Sequence, residues 1–96
     1  MTLTQVIYAV KIAETKSMNK AATELFVSQP ALSCAIHELE EEIGCDIFIR
    51  SNRGIIVTTE GEEFLSYARQ MVEMHNMMEE RYIFRKENKK KAEETF

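Results

Sequence analysis

Apolar residues recur every three or four positions through the first 26 residues, which predicts two amphipathic helices. Thr2 and Gln5 have the spacing of a capping box, so the first helix should begin after Thr2 and end near Thr15. Ser17 can cap a second helix that runs through Phe26. The residues expected to face inward are Leu3, Val6, Ala9, Val10 and Ala13 in the first helix, and Ala21, Ala22 and Leu25 in the second.

A third helix is predicted between Ser28, a good N-cap residue, and Gly44, which suits the left-handed conformation that often ends a helix. Pro30 falls in its first turn, where the missing N–H costs nothing. One face of this helix is apolar, and the other is polar with no carboxylate before Glu38. The apolar face comprises Leu32, Ile36, Leu39 and Ile43, and the polar face comprises Gln29, Ser33, Cys34 and His37.

Two short runs rich in β-branched and aromatic residues follow at residues 47–50 and 55–58, and they predict a hairpin. The loop between them ends in Gly54, which can supply the positive φ that a tight turn needs. Because a hairpin of two strands is barely stable alone, we expect it to pack on the helices.

The rest of the chain keeps a helical pattern from Glu60 to about Lys91, with Thr59 and Glu62 spaced as a second capping box. One face carries a partial heptad pattern, which predicts a homodimer interface. Its first half could simply pack on the body of the same chain, and both can hold if Phe64 and Ala68 face inward while Met71 to Tyr82 face a partner. Residues 92–96 are expected to fray. The predicted interface residues are Phe64, Ala68, Met71, His75, Met78 and Tyr82.

The second and third helices form a candidate helix-turn-helix, because the exposed first turns of the third helix carry short polar side chains. Gln29 could pair with N6 and N7 of adenine, and Ser33 could pair with either type of base. The alternative is an ordinary helical hairpin with a polar outer face, which residue spacing alone does not exclude. Arg50 and Arg53 flank the predicted hairpin tip and could enter a narrow minor groove, or they could be two solvated surface arginines.

The charge balance argues against a nucleic-acid partner, since 12 Lys and Arg stand against 16 Asp and Glu, for a formal net charge of −4. The distribution is uneven: acidic residues cluster between Glu38 and Asp46, whereas three Lys and two Glu precede the cluster. A neutral to weakly basic face upstream of Glu38 is compatible with this distribution, and its electrostatic attraction for DNA should be weak. The length of 96 residues fits one domain.

We expect no enzyme activity, cofactor or metal, because the sequence holds no catalytic arrangement and no Gly-rich phosphate loop. Cys34 and Cys45 lack metal or redox spacing, and His37 and His75 lie far apart. The absence of a signal peptide and of a long apolar run predicts a cytoplasmic protein without a membrane partner.

Many of these residues together resemble the amino-terminal domain of LysR-type transcriptional regulators, over about residues 1–80. The resemblance implies a mainly α fold: a winged helix-turn-helix with a three-helix core and a two-stranded hairpin wing, followed by a long linker and dimerisation helix. The implied boundaries are 1–58 for the winged domain, with the helix-turn-helix at about 18–37 and the wing at about 47–58, 59–91 for the linker helix and 92–96 for a frayed tail. The matching residues are Ala21-Ala22, Leu25, Val27-Ser28-Gln29-Pro30-Ala31-Leu32-Ser33, Ile36, Leu39-Glu40, Gly44, Phe48, Arg50, Thr58 and Gly61.

The resemblance also implies how DNA would be bound, with the third helix in the major groove and the wing in the minor groove. Cys34 and His37 occupy positions that are often basic in the family, so affinity should be weaker and less dependent on salt. The residues implied to face bases are Gln29, Pro30 and Ser33, with Arg53 in the minor groove, and those implied to contact phosphates are Asn19, Lys20, Ser28 and Arg50.

The function implied is that of a bacterial transcription regulator that binds a short imperfect palindrome as a homodimer. A larger effector-binding domain usually follows in the family, so we expect this chain to be the DNA-binding part alone. A small-molecule effector is then expected only if a further domain exists. The alternative is a protein-protein interaction module of the same fold with no operator of its own, which the acidic total and Cys34 favour.

Overall fold

The computed structural model describes residues 1–86, and it confirms the predicted mainly α fold with a three-helix core, a hairpin wing and a long helix. The predicted end of the long helix near Lys91 and the predicted tail at residues 92–96 lie outside the described residues. The elements are α1 (Leu3–Thr15), α2 (Met18–Leu25), α3 (Gln29–Ile43), β1 (Phe48–Ser51), β2 (Gly54–Val57), α4 (Thr59–Met78) and a π-helical segment (Glu79–Phe84).

The first three helices begin where the sequence predicts, because each has the predicted N-cap residue. The Thr2 hydroxyl accepts the N–H of Gln5 at 3.1 Å, and the Gln5 side chain accepts the N–H of Thr2 at 3.0 Å. Ser17 and Ser28 cap α2 and α3 in the same way, each by accepting an N–H three residues ahead. Gly44 ends α3 in the left-handed conformation, with φ of 78°.

Two helix boundaries differ from the prediction. Helix α2 ends one residue early, because Phe26 takes a left-handed conformation with φ of 58°. Helix α4 is capped by Thr58 and not by Thr59, since the Thr58 hydroxyl accepts the N–H of Gly61 at 2.9 Å. The same hydroxyl donates to the backbone carbonyl of Asp46, so Thr58 also ties α4 to the segment before the wing.

A single hydrophobic core joins the four helices and the start of the wing. The residues predicted to face inward from α1, α2 and α3 are buried or half-buried, with the exception of Leu3, which is 41% exposed. Leu3 is the first residue of α1, and helical side chains lean toward the amino terminus, beyond the end of the body. The core residues are Val6, Ala9, Val10, Ile12, Met18, Ala21, Ala22, Leu32, Ile36, Leu39, Ile47, Leu65 and Ala68.

The wing is an antiparallel hairpin in which Phe48 lies opposite Val57. Each strand is shifted by one residue from the prediction, because fully buried Ile47 precedes β1 and the helix cap Thr58 follows β2. The predicted positive φ at Gly54 is confirmed, with a value of 114°.

Helix α4 packs on the body along the turns that carry Phe64, Leu65, Ala68 and Val72. Gly61 lies so close to the segment before the wing that a Cβ there would come within 2.3 Å of the Ile47 carbonyl oxygen. Ala68 is 1% exposed and belongs to the core of its own chain, so its predicted place in a homodimer interface is corrected: it has no surface to offer a partner. Further along, the exposed apolar residues are Met71, Met74, Met77, Met78, Tyr82, Ile83 and Phe84.

Candidate nucleic-acid interface

Helices α2 and α3 are joined by a short turn that leaves the start of α3 at the surface. The Val27 N–H donates to the Ala22 carbonyl at 3.0 Å and closes this turn. Leu32 is fully buried and anchors α3 in the core, so the opposite face of the helix turns outward. The exposed candidate residues on α2, α3 and the turn are Asn19, Lys20, Ser28, Gln29, Pro30, Cys34 and His37, whereas Ser33 is half-buried.

A shallow depression lies between the start of α2, the start of α3 and the wing. Its walls include Asn19 from α2, Gln29 from α3 and Arg50 from β1. The Ile55 N–H donates to the Lys16 carbonyl at 3.4 Å, which joins the second strand of the wing to the end of α1. The structure therefore brings three predicted contact residues, from three separate elements, to one surface.

Arg50 reaches from the wing to α3, where its Nη2 donates to the Ser33 Oγ at 2.8 Å. The sequence predicted separate roles for these two residues, a phosphate contact for Arg50 and a base contact for Ser33. Helix α3 itself contains no Lys or Arg. Arg50 therefore supplies from the wing a positive charge that the helix lacks.

Glu40 has a role that the sequence analysis did not predict. Its side chain is only 9% exposed, and its Oε2 accepts the N–H groups of Ile47 at 2.7 Å and Phe48 at 3.2 Å. Its Oε1 lies 3.7 Å from the Nδ1 of His37. Glu40 therefore holds the start of the wing against the end of α3. The only hint in the sequence is its position one helical turn after buried Ile36.

Arg53 stands at the tip of the hairpin with an exposed side chain. Its backbone N–H donates to the Ser51 hydroxyl at 3.2 Å, which stabilises the turn. The ion pairs found within residues 1–86 do not include Lys20, Arg50 or Arg53, so these cations carry no carboxylate partner in that part of the chain. Of the three, Arg50 contacts the half of α3 that holds no acidic side chain.

Cys34 and His37 lie further along the exposed face of α3. The Cys34 thiol donates to Glu38 Oε1 at 3.8 Å, and His37 lies beside Glu40. Both side chains therefore meet carboxylates of their own helix, and neither brings a permanent positive charge to this face.

Residues 1–86 lack two other kinds of site. No group of three or more His, Cys, Asp or Glu side chains in that span is arranged to hold a metal ion. No helix in the described part of the chain combines the length and the apolar character needed to cross a bilayer.

The elements of this surface define a class of protein. Helices α2 and α3 form a helix-turn-helix with an exposed second helix, and the β1–β2 hairpin beside it forms the wing. The chain is thus a winged helix-turn-helix protein, with a long helix after the wing.

The family follows from a match over most of this unit. Residues 3–62 match the family described as bacterial regulatory helix-turn-helix proteins of the lysR family, and the chain belongs to this family. The predicted resemblance is therefore confirmed.

Individual relatives agree with the family. The chain is 44% identical over 68 residues to the uncharacterized HTH-type transcriptional regulator YkuM of Bacillus subtilis, a match that covers 71% of this chain and 23% of YkuM. The crystal structure of CbnR, a LysR family transcriptional regulator, superposes with a TM-score of 0.78 at 36% identity, over 84% of this chain and 28% of CbnR. The crystal structure of a complex between the CbnR DBD and DNA gives a TM-score of 0.77 at 36% identity, over 84% of this chain and 93% of that one.

Proposed function

We propose that this chain is the DNA-binding part of a bacterial LysR-type transcriptional regulator and that it binds specific double-stranded DNA as a homodimer. The observation that carries the proposal is the exposed, carboxylate-free first half of α3, with Arg50 of the wing in contact with it and Arg53 exposed at the wing tip. The similar CbnR domain, which was crystallised with DNA, supports it.

In this proposal α3 lies in the major groove and the tip of the wing, with Arg53, lies at the minor groove. Gln29 would pair with adenine N6 and N7, the Pro30 ring would meet a thymine methyl group, and Ser33 would face a base. The hydroxyl of Ser28 accepts the N–H of Ala31 at 3.2 Å, which leaves its hydrogen free for a phosphate oxygen. The other proposed phosphate contacts are Asn19 and Lys20, while Cys34 and His37 lie further along the groove-facing side.

The homodimer is proposed from the exposed apolar face of α4. A continuous exposed apolar surface of this kind marks an interaction site in soluble proteins. Because the core contacts of α4 extend only as far as Val72, the exposed apolar side chains from Met71 to Tyr82 are available to a second copy of the chain. The proposed interface omits Ala68 and keeps Phe64, Met71, His75, Met78 and Tyr82. Of these, half-buried Phe64 also packs on the core of its own chain.

A two-fold dimer places two copies of α3 in successive major grooves, about 34–36 Å apart. The proposed operator is therefore a short imperfect palindrome with half-sites about one helical turn apart. Since one half-site would engage only one subunit, its affinity alone should be poor.

The cellular setting follows from the proposed partner. A regulator that binds the bacterial chromosome works in the cytoplasm, which is the location that we propose.

The chain spans about a quarter of the length of its curated relatives, at 23% of YkuM and 25% of TfdS. A small-molecule effector is therefore proposed only for a longer protein that carries a further domain.

Fluorescence anisotropy with labelled duplexes tests the proposal. The protein is titrated with a mixed-sequence duplex at low and moderate salt, and then with palindromes enriched from a random library. Lys20, Arg50 and Arg53 bring three cations per subunit, and six per dimer. The slope of log K against log salt should therefore be no steeper than about −5.

A second candidate function is a protein interaction module of the same fold. It is favoured by the net charge of −4 and by the absence of Lys and Arg from α3. Negligible binding at low salt, together with a library that enriches no sequence, would support this candidate and contradict DNA binding.

A further inference from the structure

We propose that Arg50 sets the direction of the hydrogen bond that Ser33 makes to DNA, and thereby restricts Ser33 to base atoms that accept hydrogen bonds. The inference rests on the proposed function, in which Ser33 faces a base in the major groove. It makes Arg50 a residue that determines sequence preference through Ser33.

The Arg50–Ser33 contact has a fixed polarity. A guanidinium group has only donors and stays protonated in proteins, so the Ser33 oxygen must accept the bond from Arg50 Nη2 at 2.8 Å. A serine hydroxyl has a single hydrogen, which must then point elsewhere.

The hydrogen of Ser33 has no acceptor within the described residues. Other hydroxyls on helices of this chain donate to their own backbone: Ser66 donates to the Glu63 carbonyl at 2.6 Å, and Thr23 donates to the Asn19 carbonyl at 3.0 Å. The bond from Arg50 is the one side-chain hydrogen bond that Ser33 makes in residues 1–86. The Ser33 hydroxyl is therefore left as a donor for a ligand.

Arg50 also strengthens that donor. A cation that donates to a hydroxyl oxygen draws electron density from the O–H bond, and chains of hydrogen bonds reinforce one another in this way. The same charge repels a base N–H₂ group that would compete for the remaining lone pair of the oxygen. Ser33 is therefore biased toward giving a hydrogen bond and away from accepting one.

Two contacts between the wing and α3 fix the position of the Arg50 guanidinium before DNA binds. Ser33 and Glu40 are seven residues apart and lie on one face of the helix, two turns from each other. Phe48 and Arg50 are two residues apart and lie on one face of β1. Because Glu40 holds the Phe48 N–H and Ser33 holds the Arg50 side chain, the guanidinium is positioned before any ligand arrives.

The base that Ser33 can read follows from this polarity. In the major groove the acceptors are N7 of purines, O6 of guanine and O4 of thymine, while cytosine offers only the N4 donor. We therefore expect cytosine to be depleted at one position of each half-site, on the strand that Ser33 contacts.

Selection of binding sites from a random duplex library, followed by sequencing, tests the inference. It is run with the wild-type chain, Arg50→Ala, Ser33→Ala and the matched control Arg53→Ala, which loses the same charge from the same hairpin. Arg50→Ala should raise the frequency of cytosine at that position by about 3- to 10-fold, which corresponds to one hydrogen bond. Ser33→Ala should change the same position, and a double variant that combines Arg50→Ala with Ser33→Ala should add nothing to that change. Arg53→Ala should lower affinity and the salt slope but leave this position unchanged.

Several outcomes would overturn the inference while the proposed function stands. One is an Arg50→Ala variant that selects the wild-type base preference at every position, and another is an Arg53→Ala control that changes the same position equally. If Arg50→Ala does not fold by circular dichroism, Ser33→Ala decides, because an unchanged preference there refutes the inference as well. A wild-type chain that enriches no sequence contradicts the proposed function, and this inference with it.

Discussion

Replacement of Glu40 by alanine should destabilise the domain by about 2–4 kcal/mol, because two N–H groups lose the one acceptor that they have within residues 1–86. The carboxylate accepts the N–H of Ile47 at 2.7 Å in a buried position and that of Phe48 at 3.2 Å in a partly buried one. A hydrogen bond to a charged group contributes about 1.5–3 kcal/mol. The Ile47 bond should supply most of the loss, since water can partly replace the acceptor at half-buried Phe48.

Urea unfolding followed by circular dichroism measures this difference. Glu41→Ala is the matched control, because it makes the same chemical change on the next residue of α3, at an exposed position. The control should stay within about 0.5 kcal/mol of the wild type. Glu40→Gln keeps one acceptor oxygen without the charge and should fall between the two. Equal free energies of unfolding for Glu40→Ala and Glu41→Ala would show that Glu40 does not hold the wing.

Three other changes test separate parts of the molecule. Gln29→Ala should cost about 1–3 kcal/mol of DNA binding and relax the preference at one base pair, and an unchanged selected motif would contradict its place in the groove. Met71→Glu combined with Met78→Glu should produce monomers in analytical ultracentrifugation, and dimers that persist would place the interface elsewhere. Gly61→Ala should destabilise the domain by about 1–3 kcal/mol, because its Cβ would come within 2.3 Å of the Ile47 carbonyl oxygen. An unchanged melting temperature would refute that close approach.

The helix boundaries could be predicted where the deciding contact is local. The capping bonds of Thr2 and Gln5 span three residues, so both partners are visible in a short stretch of sequence. Thr58 and Thr59 are neighbours, and either of them could be the N-cap of α4. The choice depends on a bond from Thr58 to the Asp46 carbonyl, 12 residues away, which local spacing does not show.

The links between the wing and α3 could not be predicted, because they join residues distant in sequence. Arg50 and Ser33 are 17 residues apart, and each looks like an independent surface residue in the sequence. Glu40 stands in a run of acidic residues, and only the fold shows that one member is buried against backbone N–H groups. Ala68 illustrates a different limit, since helical periodicity marks an apolar face without showing which chain covers it.

The π-helical segment Glu79–Phe84 alters how the apolar side of the long helix continues. In an α-helix the backbone repeat joins each residue to the fourth one along, whereas a π-helix joins it to the fifth. Past Met78, exposed Ile83 therefore joins Tyr82 on the apolar side of the helix. If two copies of the chain pack together along α4, the seven-residue pattern of their contacts is interrupted at this segment. The length of such a helix–helix interface therefore depends on the backbone conformation as well as on the side chains.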